Sequence, residues 1–219
     1  MSAVNAVAVT LIAPLAALGI YFIAAGTWNR PPVWGVLVVL WLFCGWAAAT
    51  MDRGLIRERV KPGPGSRDHL TRPVGTVLLF AHWILAGLDV GRFQWSVVPE
   101  TLQWVGLAGY ALAMAGMMWV MRVNPFYSSV VRIQSDRGHR PITAGPYGLV
   151  RHPGYTFTIF GVLSGALALG SWVGMIPLIG VLPLFLRRTL IEDRMLRTEL
   201  DGYAEYAGRV RYRLVAGVF

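Results

Sequence analysis

Two short stretches of this sequence carry side chains that could do chemistry. The first, GPYGLVRHPGY, runs from Gly145 to Tyr155 and places two tyrosines, an arginine and a histidine between apolar blocks. In the second, Arg188 stands four residues before Glu192, so a helix would put both side chains on one face. As a simple surface pair they would stabilise the helix by only about a few tenths of a kcal/mol. The alternative is a binding site, in which Glu192 holds a cationic ligand and Arg188 an anionic one.

Helical periodicity places Glu192 on a face that should be buried. The same stripe contains, at intervals of three or four residues, Leu196, Leu200, Tyr203 and Ala207. A buried carboxylate is costly unless it is paired, which favours the binding interpretation. The neighbouring charged residues should fall mostly away from this stripe: Asp193, Arg194, Arg197, Asp201 and Glu205. Gly202 interrupts the helix and weakens the projection beyond it.

The polar segment from Asn124 to Tyr155 is 32 residues long, which is far more than a typical helix connection. Its apolar residues argue against disorder, so it is either a packed cap or a cofactor-binding loop with backbone donors near Gly145, Gly148 and Gly154. The chain has neither GxGxxG nor GxxxxGK followed by Ser or Thr. A nucleotide-like cofactor would therefore have to be held by loops and helix ends.

Composition indicates a membrane protein. The 219 residues are 55% hydrophobic and only 14% charged, with a mean hydropathy of +0.53, whereas soluble domains carry about 25% charged residues. The net charge of +9 does not indicate a nucleic-acid partner, because the basic residues stand between apolar blocks. The single cysteine, Cys44, and four scattered histidines give no metal-ligand spacing, so no metal site is expected.

The apolar blocks predict an all-α, polytopic integral membrane protein. About four are long enough to span a bilayer: Ala6–Gly26, Val33–Thr50, Val74–Val90 and Thr101–Met121. A fifth block, Thr156–Leu186, is too long for one crossing and contains Gly170, Pro177 and Pro183. A helical hairpin is expected there, followed by a C-terminal cytoplasmic amphipathic helix. Residues 1–121 would form the N-terminal transmembrane helices, and residues 122–219 the region of the candidate site, within one integrated domain.

Basic residues set the expected orientation. The four connections between predicted spans carry one, six, one and five basic residues in turn, and seven more follow Leu186. By the positive-inside rule, residues 51–73, residues 122–155 and the C-terminal segment face the cytoplasm. This agrees with the hairpin, which gives an even number of crossings. Nineteen arginines against one lysine indicate a GC-rich genome, so a bacterial cytoplasmic membrane is expected.

The C-terminal two-fifths of the chain, roughly Gln134 to Phe219, resembles a known family of membrane enzymes. The stretch GHRPITAGPYGLVRHPGY, a hydrophobic hairpin, and then RRTLIEDRML and YAEYAGRV are similar to the isoprenylcysteine carboxyl methyltransferases, with phospholipid N-methyltransferases as more distant relatives. The resemblance implies an integral membrane methyltransferase that uses S-adenosylmethionine as its methyl donor.

The resemblance also implies which residues surround the cofactor. They are Gln134, His139, Arg140, Pro141, Ile142, Tyr147, His152, Pro153, Gly154, Tyr155 and Glu192. Arg188 takes the place of the substrate-facing arginine, which lies four residues before the glutamate. Arg151 is assigned to catalysis with it, and could contact the substrate, the cofactor or only loop carbonyls.

The methyl acceptor is less constrained, because the family's usual double glutamate is reduced here to Ile191-Glu192 or Glu192-Asp193. A carboxylate acceptor needs no general base, since it is ionised near pH 7, and the sequence offers no convincing base for an amine. We therefore expect O-methylation of the carboxylate of a lipid-like, isoprenoid or prenylated substrate. The alternatives are a membrane scaffold or carrier and an NADPH-dependent membrane reductase of a sterol-like or enone lipid, whose cofactor phosphate Arg132, Arg137 and Arg140 could bind.

Overall fold

The computed structural model describes residues 15–16 and 18–219, which form helices and loops with no strand among them. The first helical segment, α1, covers residues 18–25 of this range. It is followed by α2 (Pro31–Thr50), α3 (Arg53–Val60), α4 (Thr71–Leu88), α5 (Glu100–Val123), α6 (Pro153–Ala168), α7 (Val181–Glu199) and α8 (Tyr203–Arg209). The all-α prediction is confirmed.

Within the described residues, four helical stretches are long and apolar enough to cross a membrane: Pro31–Thr50, Thr71–Phe93, Glu100–Val123 and Val173–Glu199. The second consists of α4 and a π-helical turn, and the fourth of a 3-10 helix, Val173–Gly180, and α7. α6 is also apolar but has only 16 residues. These lengths and compositions are those of an integral membrane protein. Part of the predicted span Ala6–Gly26, residues 6–14 and 17, lies outside the described residues.

The predicted hairpin forms, but its second arm is longer than expected. α6 ends at Ala168, and Gly170, with a φ of +83°, turns the chain back toward the 3-10 helix. Instead of ending near Leu186, α7 continues without a break to Glu199. Pro183 does not stop it, because a proline in the first turn removes no intrahelical hydrogen bond. The expected separate C-terminal helix is therefore the second half of the hairpin arm, with the short α8 after it.

Glycines allow α5 and α6 to pack closely. A Cβ atom on Gly106 would lie 2.7 Å from the carbonyl oxygen of Ser164, and one on Gly109 would lie equally close to the Ser164 hydroxyl. From the other helix, Gly161 faces Ala113, as the GxxxG spacing predicts. This interface fixes the start of α6, and with it the His152–Tyr155 stretch, against the end of α5.

The loops gather at two opposite faces of the helical bundle. On one face the short connections after α1, α4 and α6 meet: the Arg30 guanidinium donates to the Val90 carbonyl at 2.8 Å, and Asp89 accepts hydrogen bonds from Ser96 and Ser171. On the opposite face lie α3, the long loop after α5, the end of α7 and α8. All the predicted site residues belong to this second face, so the helices hold the candidate site at one end of the bundle.

Candidate active site

The long loop begins by folding back on the end of α5. Asn124 accepts the backbone N–H of Phe126 at 2.8 Å and donates its own side-chain N–H to the Tyr147 hydroxyl at 2.6 Å. Gly145 has a φ of +59°, which favours glycine, and a Cβ there would come within 3.0 Å of the Trp119 indole nitrogen. These contacts bring the GPYG turn beside the NPFY stretch, and Tyr147 is buried between them.

Gln134 and His139 stabilise a tight turn in the middle of this loop. The buried Gln134 side chain donates to the Phe126 carbonyl at 2.6 Å, while its amide oxygen accepts from Arg137 at 2.5 Å. The His139 ring packs on Phe126 with centroids 4.7 Å apart and accepts the Gln134 backbone N–H at 3.3 Å. Burial lowers the pKa of His139 below its usual value, so the ring is neutral at pH 7. These two residues thus shape the loop as well as line it.

A buried ion pair connects this loop to α3. Arg132 donates from two nitrogens to the Glu58 carboxylate, both at 2.8 Å, and from a third to Asp136 at 2.9 Å. Ser128 also donates to Glu58, at 2.9 Å. The hydrogen bonds from Arg132 lower the pKa of Glu58, so the carboxyl is ionised at neutral pH. This pair fixes the loop over the membrane helices.

The loop, α6, α7 and α8 together line a narrow cavity of about 60 Å³, which we call the donor cavity after the methyl donor that the resemblance implies. Eleven of the predicted residues line it: Gln134, His139, Arg140, Pro141, Ile142, Tyr147, Arg151, His152, Gly154, Tyr155 and Glu192. Pro153 does not, because it is buried at the first position of α6. The structure therefore brings together residues that are up to 58 positions apart in the sequence.

Ten further residues line the donor cavity that the sequence analysis did not assign: Asn124, Phe126, Tyr127, Ser128, Val130, Arg132, Leu196, Leu200, Tyr203 and Tyr206. The NPFYSS stretch directly after an apolar helix was the available signal for the first four. Gly154 explains the place of Tyr127, because a Cβ at position 154 would lie only 2.5 Å from its ring. Gly154 thus makes room for an aromatic wall as well as lining the cavity.

Asp193 corrects the helical projection. We expected it to lie away from the buried stripe, yet its side chain is only 3% exposed. It accepts hydrogen bonds from Arg151, Arg213 and Tyr203, at 2.7, 3.1 and 3.1 Å for the shortest contact of each. The reason is that residues 210–214 run along this side of α7, so the helix is covered on two faces. Asp193 is a fully compensated structural carboxylate.

Arg151 is engaged by the same cluster. Its guanidinium donates twice to Asp193, at 2.7 and 3.0 Å, and to the carbonyl oxygens of Val210 and Arg211, both at 2.7 Å. Four of its five N–H donors are therefore used within the protein. A catalytic role for Arg151 stays a prediction, and these contacts favour the loop-carbonyl alternative, in which it positions the neighbouring His152.

Glu192 has a different environment from Asp193. Its side chain is 25% exposed, and the nearest nitrogen of His152 lies 4.0 Å from its carboxylate. In the part of the chain that the structure describes, its one close partner is the Tyr155 hydroxyl, which donates to it. The same hydroxyl accepts from Arg188 at 2.7 Å, and Arg188 also contacts Asp68 at 3.2 Å and the Ser129 carbonyl at 3.1 Å. Arg188 and Glu192 thus share a face of α7, as predicted, but a tyrosine stands between them.

Arg188 lines a second cavity rather than the first. This cleft lies between α4, α6 and α7 and has a volume of about 280 Å³. Its polar end contains Arg59, Arg72, Ser129 and Arg188, and its apolar end contains Leu79, Val162, Val181 and Phe185. Three residues line both cavities: Tyr127, Ser128 and Tyr155. The donor cavity and the cleft are therefore neighbours that meet at these three side chains.

Comparison with known proteins agrees with this arrangement. Residues 101–200 match the sequence profile described as phospholipid methyltransferase. The chain is also 28% identical over 146 residues to the cobalt-zinc-cadmium resistance protein CzcN of Cupriavidus metallidurans. That alignment covers 65% of this chain and 63% of CzcN, so the chain matches less than two thirds of its relative's length.

The matched residues supply nearly all of α5, the long loop, and the whole hairpin including α7. They include Arg188, Glu192 and every predicted cofactor residue. The resemblance that the sequence motifs indicated is thereby confirmed: the segment from residue 101 to 200, which contains the residues shared by both cavities, matches the phospholipid methyltransferase family.

Proposed function

We propose that this integral membrane protein is an S-adenosylmethionine-dependent methyltransferase that methylates the carboxylate of a lipid-like or isoprenoid substrate at the membrane–cytosol interface. The observation that carries the proposal is the meeting of two cavities of different chemistry at Tyr155. One is polar, opens from the loop face and contains an under-compensated carboxylate. The other extends among membrane helices and contains a buried guanidinium.

The donor cavity suits the proposed cofactor. S-adenosylmethionine supplies a methyl group on a positively charged sulfur, which becomes a neutral thioether when an acceptor oxygen takes the methyl carbon. Glu192 can attract the cationic end of such a ligand, because among the described residues one hydroxyl and no arginine contacts its carboxylate directly. Arg140 and His152 can donate to the ligand's carboxylate, and the Phe126 and Tyr127 rings offer faces for its base.

The cleft suits an acceptor with an apolar chain and an acidic end. Its apolar lining can hold the chain at membrane level, while Arg188 directs a carboxylate toward the opening beside Tyr155. Arg188 uses three of its five N–H donors within the protein, so two remain for a ligand. A carboxylate is already ionised near pH 7, so the chain needs to orient the two ligands but not to move a proton.

The reductase alternative has lost its support. Two of the arginines that could have bound a 2′-phosphate are engaged inside the protein: Arg132 with Glu58 and Asp136, and Arg137 with Gln134. The family match also concerns methyl transfer and not hydride transfer.

The orientation proposed is the one that the basic residues predict, in a bacterial cytoplasmic membrane. The site-bearing face contains α3, the long loop and the C-terminal segment, which together carry nearly all the arginines, and the opposite face carries Arg30 and Arg92. The positive-inside rule then places the donor cavity in the cytoplasm, where a water-soluble cofactor is available.

Ligand titration tests the proposal most directly. Protein purified in detergent should bind S-adenosylmethionine and S-adenosylhomocysteine in a calorimeter, and it should not bind NADPH. Incubation with a labelled methyl donor and total membrane lipid extract should then give a labelled lipid that loses its label as methanol on mild alkaline hydrolysis, as expected for a methyl ester. Binding of NADPH alone would overturn the proposal. An alkali-stable methylated amine would retain the methyltransferase but reject the carboxylate acceptor.

A further inference from the structure

Tyr155 forms the partition between the two cavities. On the donor side its ring lies parallel to the His152 ring, with an interplanar angle of 2° and centroids 5.7 Å apart. On the cleft side its ring meets Phe185 edge-on, at 71° and 5.5 Å. His152 lines only the donor cavity and Phe185 lines only the cleft. The Tyr155 ring therefore stands between the two cavities, beside Tyr127 and Ser128, which also line both.

The hydroxyl of Tyr155 also joins the charged groups of the two cavities. It accepts from the Arg188 Nε at 2.7 Å and donates to the Glu192 carboxylate. The Arg188 guanidinium carbon lies 5.4 Å from the centroid of the same ring. Without ligands, the cation on the cleft side and the carboxylate on the donor side thus compensate each other through one hydroxyl.

We propose that Tyr155 couples the occupancy of the two cavities, so that a cation bound at Glu192 strengthens the binding of an anionic amphiphile at Arg188. This rests on the proposed function and adds a role to a residue that the resemblance assigned only to cofactor binding. Once Glu192 pairs with a ligand's cation, its carboxylate compensates Arg188 less. Arg188 then presents more of its positive charge to the cleft, with Asp68 as its remaining carboxylate partner.

The coupling must be reciprocal, because it is a free energy shared by two binding equilibria. An anionic amphiphile at Arg188 draws the guanidinium toward itself and leaves Glu192 more available to a cation. Couplings of this kind change affinity roughly 5- to 150-fold. A neutral amphiphile of the same length has no charge to compensate Arg188, so it should produce no such change. This coupling would favour binding of the methyl donor when an acidic acceptor is already bound in the cleft.

Calorimetry with a non-reactive ligand pair measures this coupling. The donor-side probe is sinefungin, an S-adenosylmethionine analogue with an amine in place of the methylated sulfur, and the cleft probe is palmitate. We expect saturating palmitate to lower the Kd of sinefungin on the order of tenfold in the wild-type protein. Hexadecanol, which has the same chain without the charge, should leave that Kd unchanged.

Tyr155→Phe keeps the ring and removes the hydroxyl, so the palmitate effect on the sinefungin Kd should disappear while sinefungin alone still binds. Tyr127→Phe is the matched control: it also removes a hydroxyl from a residue that lines both cavities, but that hydroxyl contacts neither Arg188 nor Glu192 among the described residues. This control should retain the coupling.

A palmitate effect that survives in Tyr155→Phe, or that is absent from the wild type, would overturn the proposal. If Tyr155→Phe does not fold, Glu192→Gln is used in its place. It removes the carboxylate charge that the Tyr155 hydroxyl contacts, so the Kd of sinefungin should be the same with and without palmitate. Failure of sinefungin to bind the wild type in the absence of palmitate would instead count against the proposed function itself.

Discussion

The two sides of α7 provide different environments for two neighbouring carboxylates. On one side Asp193 is enclosed by Arg151, Arg213 and Tyr203, and Arg197 approaches from the next turn. On the other side Glu192 faces the donor cavity with a tyrosine hydroxyl as its one close partner. The residues are adjacent in sequence and have the same charge. They differ in the number of arginine side chains that contact each carboxylate.

This contrast distinguishes a carboxylate that builds the fold from one that binds a ligand. A buried charge whose hydrogen bonds and counter-charges are complete has nothing left to offer a ligand, and its removal damages the protein. A carboxylate whose hydrogen bonds and counter-charges are incomplete within the protein can obtain them from a ligand. Substitutions on the two sides of α7 should therefore separate stability from binding.

The largest effect is expected on the Asp193 side. Asp193→Asn leaves the buried Arg151 without a charged partner, and loss of one member of a buried pair costs roughly 3–5 kcal/mol of unfolding free energy. The change should appear as a marked drop in the unfolding temperature in detergent. Asp201→Asn, the same substitution at an exposed position eight residues later, is the control. Equal unfolding temperatures for the two variants would break the comparison.

The next effect concerns turnover. Arg188→Ala removes the guanidinium from the cleft, and misplacing the acceptor should lower the rate of labelled-methyl transfer to lipid extract roughly 100-fold. Affinity for S-adenosylhomocysteine should change little. Arg187→Ala is a close control, since Arg187 also contacts Asp68, at 2.9 Å, but its side chain is 47% exposed. A similar loss of turnover in both variants would mean that Asp68, and not the acceptor, is the partner that matters.

A smaller effect is expected for Glu192. Glu192→Gln keeps the shape and removes the charge, so the Kd for S-adenosylmethionine should rise about tenfold, which corresponds to about 1.4 kcal/mol. The unfolding temperature should stay close to that of the wild type, in contrast to Asp193→Asn. Glu199→Gln, on the exposed end of α7 where Glu199 pairs with Arg67, should change neither quantity. Unchanged cofactor affinity in Glu192→Gln would remove Glu192 from the site.

The smallest effect is a pH dependence. The pKa of Glu58 is lowered in the folded protein by its hydrogen bonds from Arg132, so its stabilising contribution is complete above the usual value of about 4.5. As the pH falls from there toward the folded pKa, the unfolded chain takes up the proton first and the free energy of unfolding decreases. Glu58→Gln should make the free energy of unfolding decrease less as the pH falls, measured by thermal unfolding between pH 3 and 6. An unchanged decrease would show that other carboxylates account for the acid sensitivity.

The sequence predicted the helical class, the hairpin and most of the donor cavity, because these depend on local signals. Apolar runs determine the membrane helices, and the crowded GPYG and RHPGY turns indicate irregular, polar backbone. The i, i+4 spacing correctly placed Arg188 and Glu192 on one face of α7. The family resemblance contributed Gln134 and His139, whose contacts within the loop have no periodicity to reveal them.

The remainder depended on contacts between distant segments. The projection placed Asp193 outside the buried stripe, since it could not include residues 210–214, which cover the other side of α7. The length of α7 was also underestimated, because the apolar run ends at Leu186 and two arginines follow it, whereas the helix continues through both segments to Glu199. The separation of Arg188 from the donor cavity depends on the Tyr155 ring, and nothing in the spacing of these residues indicates it.

The continuity of α7 has a consequence for the lipid around the protein. With its preceding 3-10 helix it forms one 27-residue stretch, Val173–Glu199, whose first half carries lipid-exposed Ile176, Ile179 and Leu182 and whose second half carries Arg188 and Glu192. A helix whose apolar length differs from the hydrocarbon thickness tilts to compensate. Because the stretch is continuous, a change in its tilt also moves the half that carries the charged groups. Bilayers of short-chain and long-chain lipids should therefore give different positions of Arg188 and Glu192.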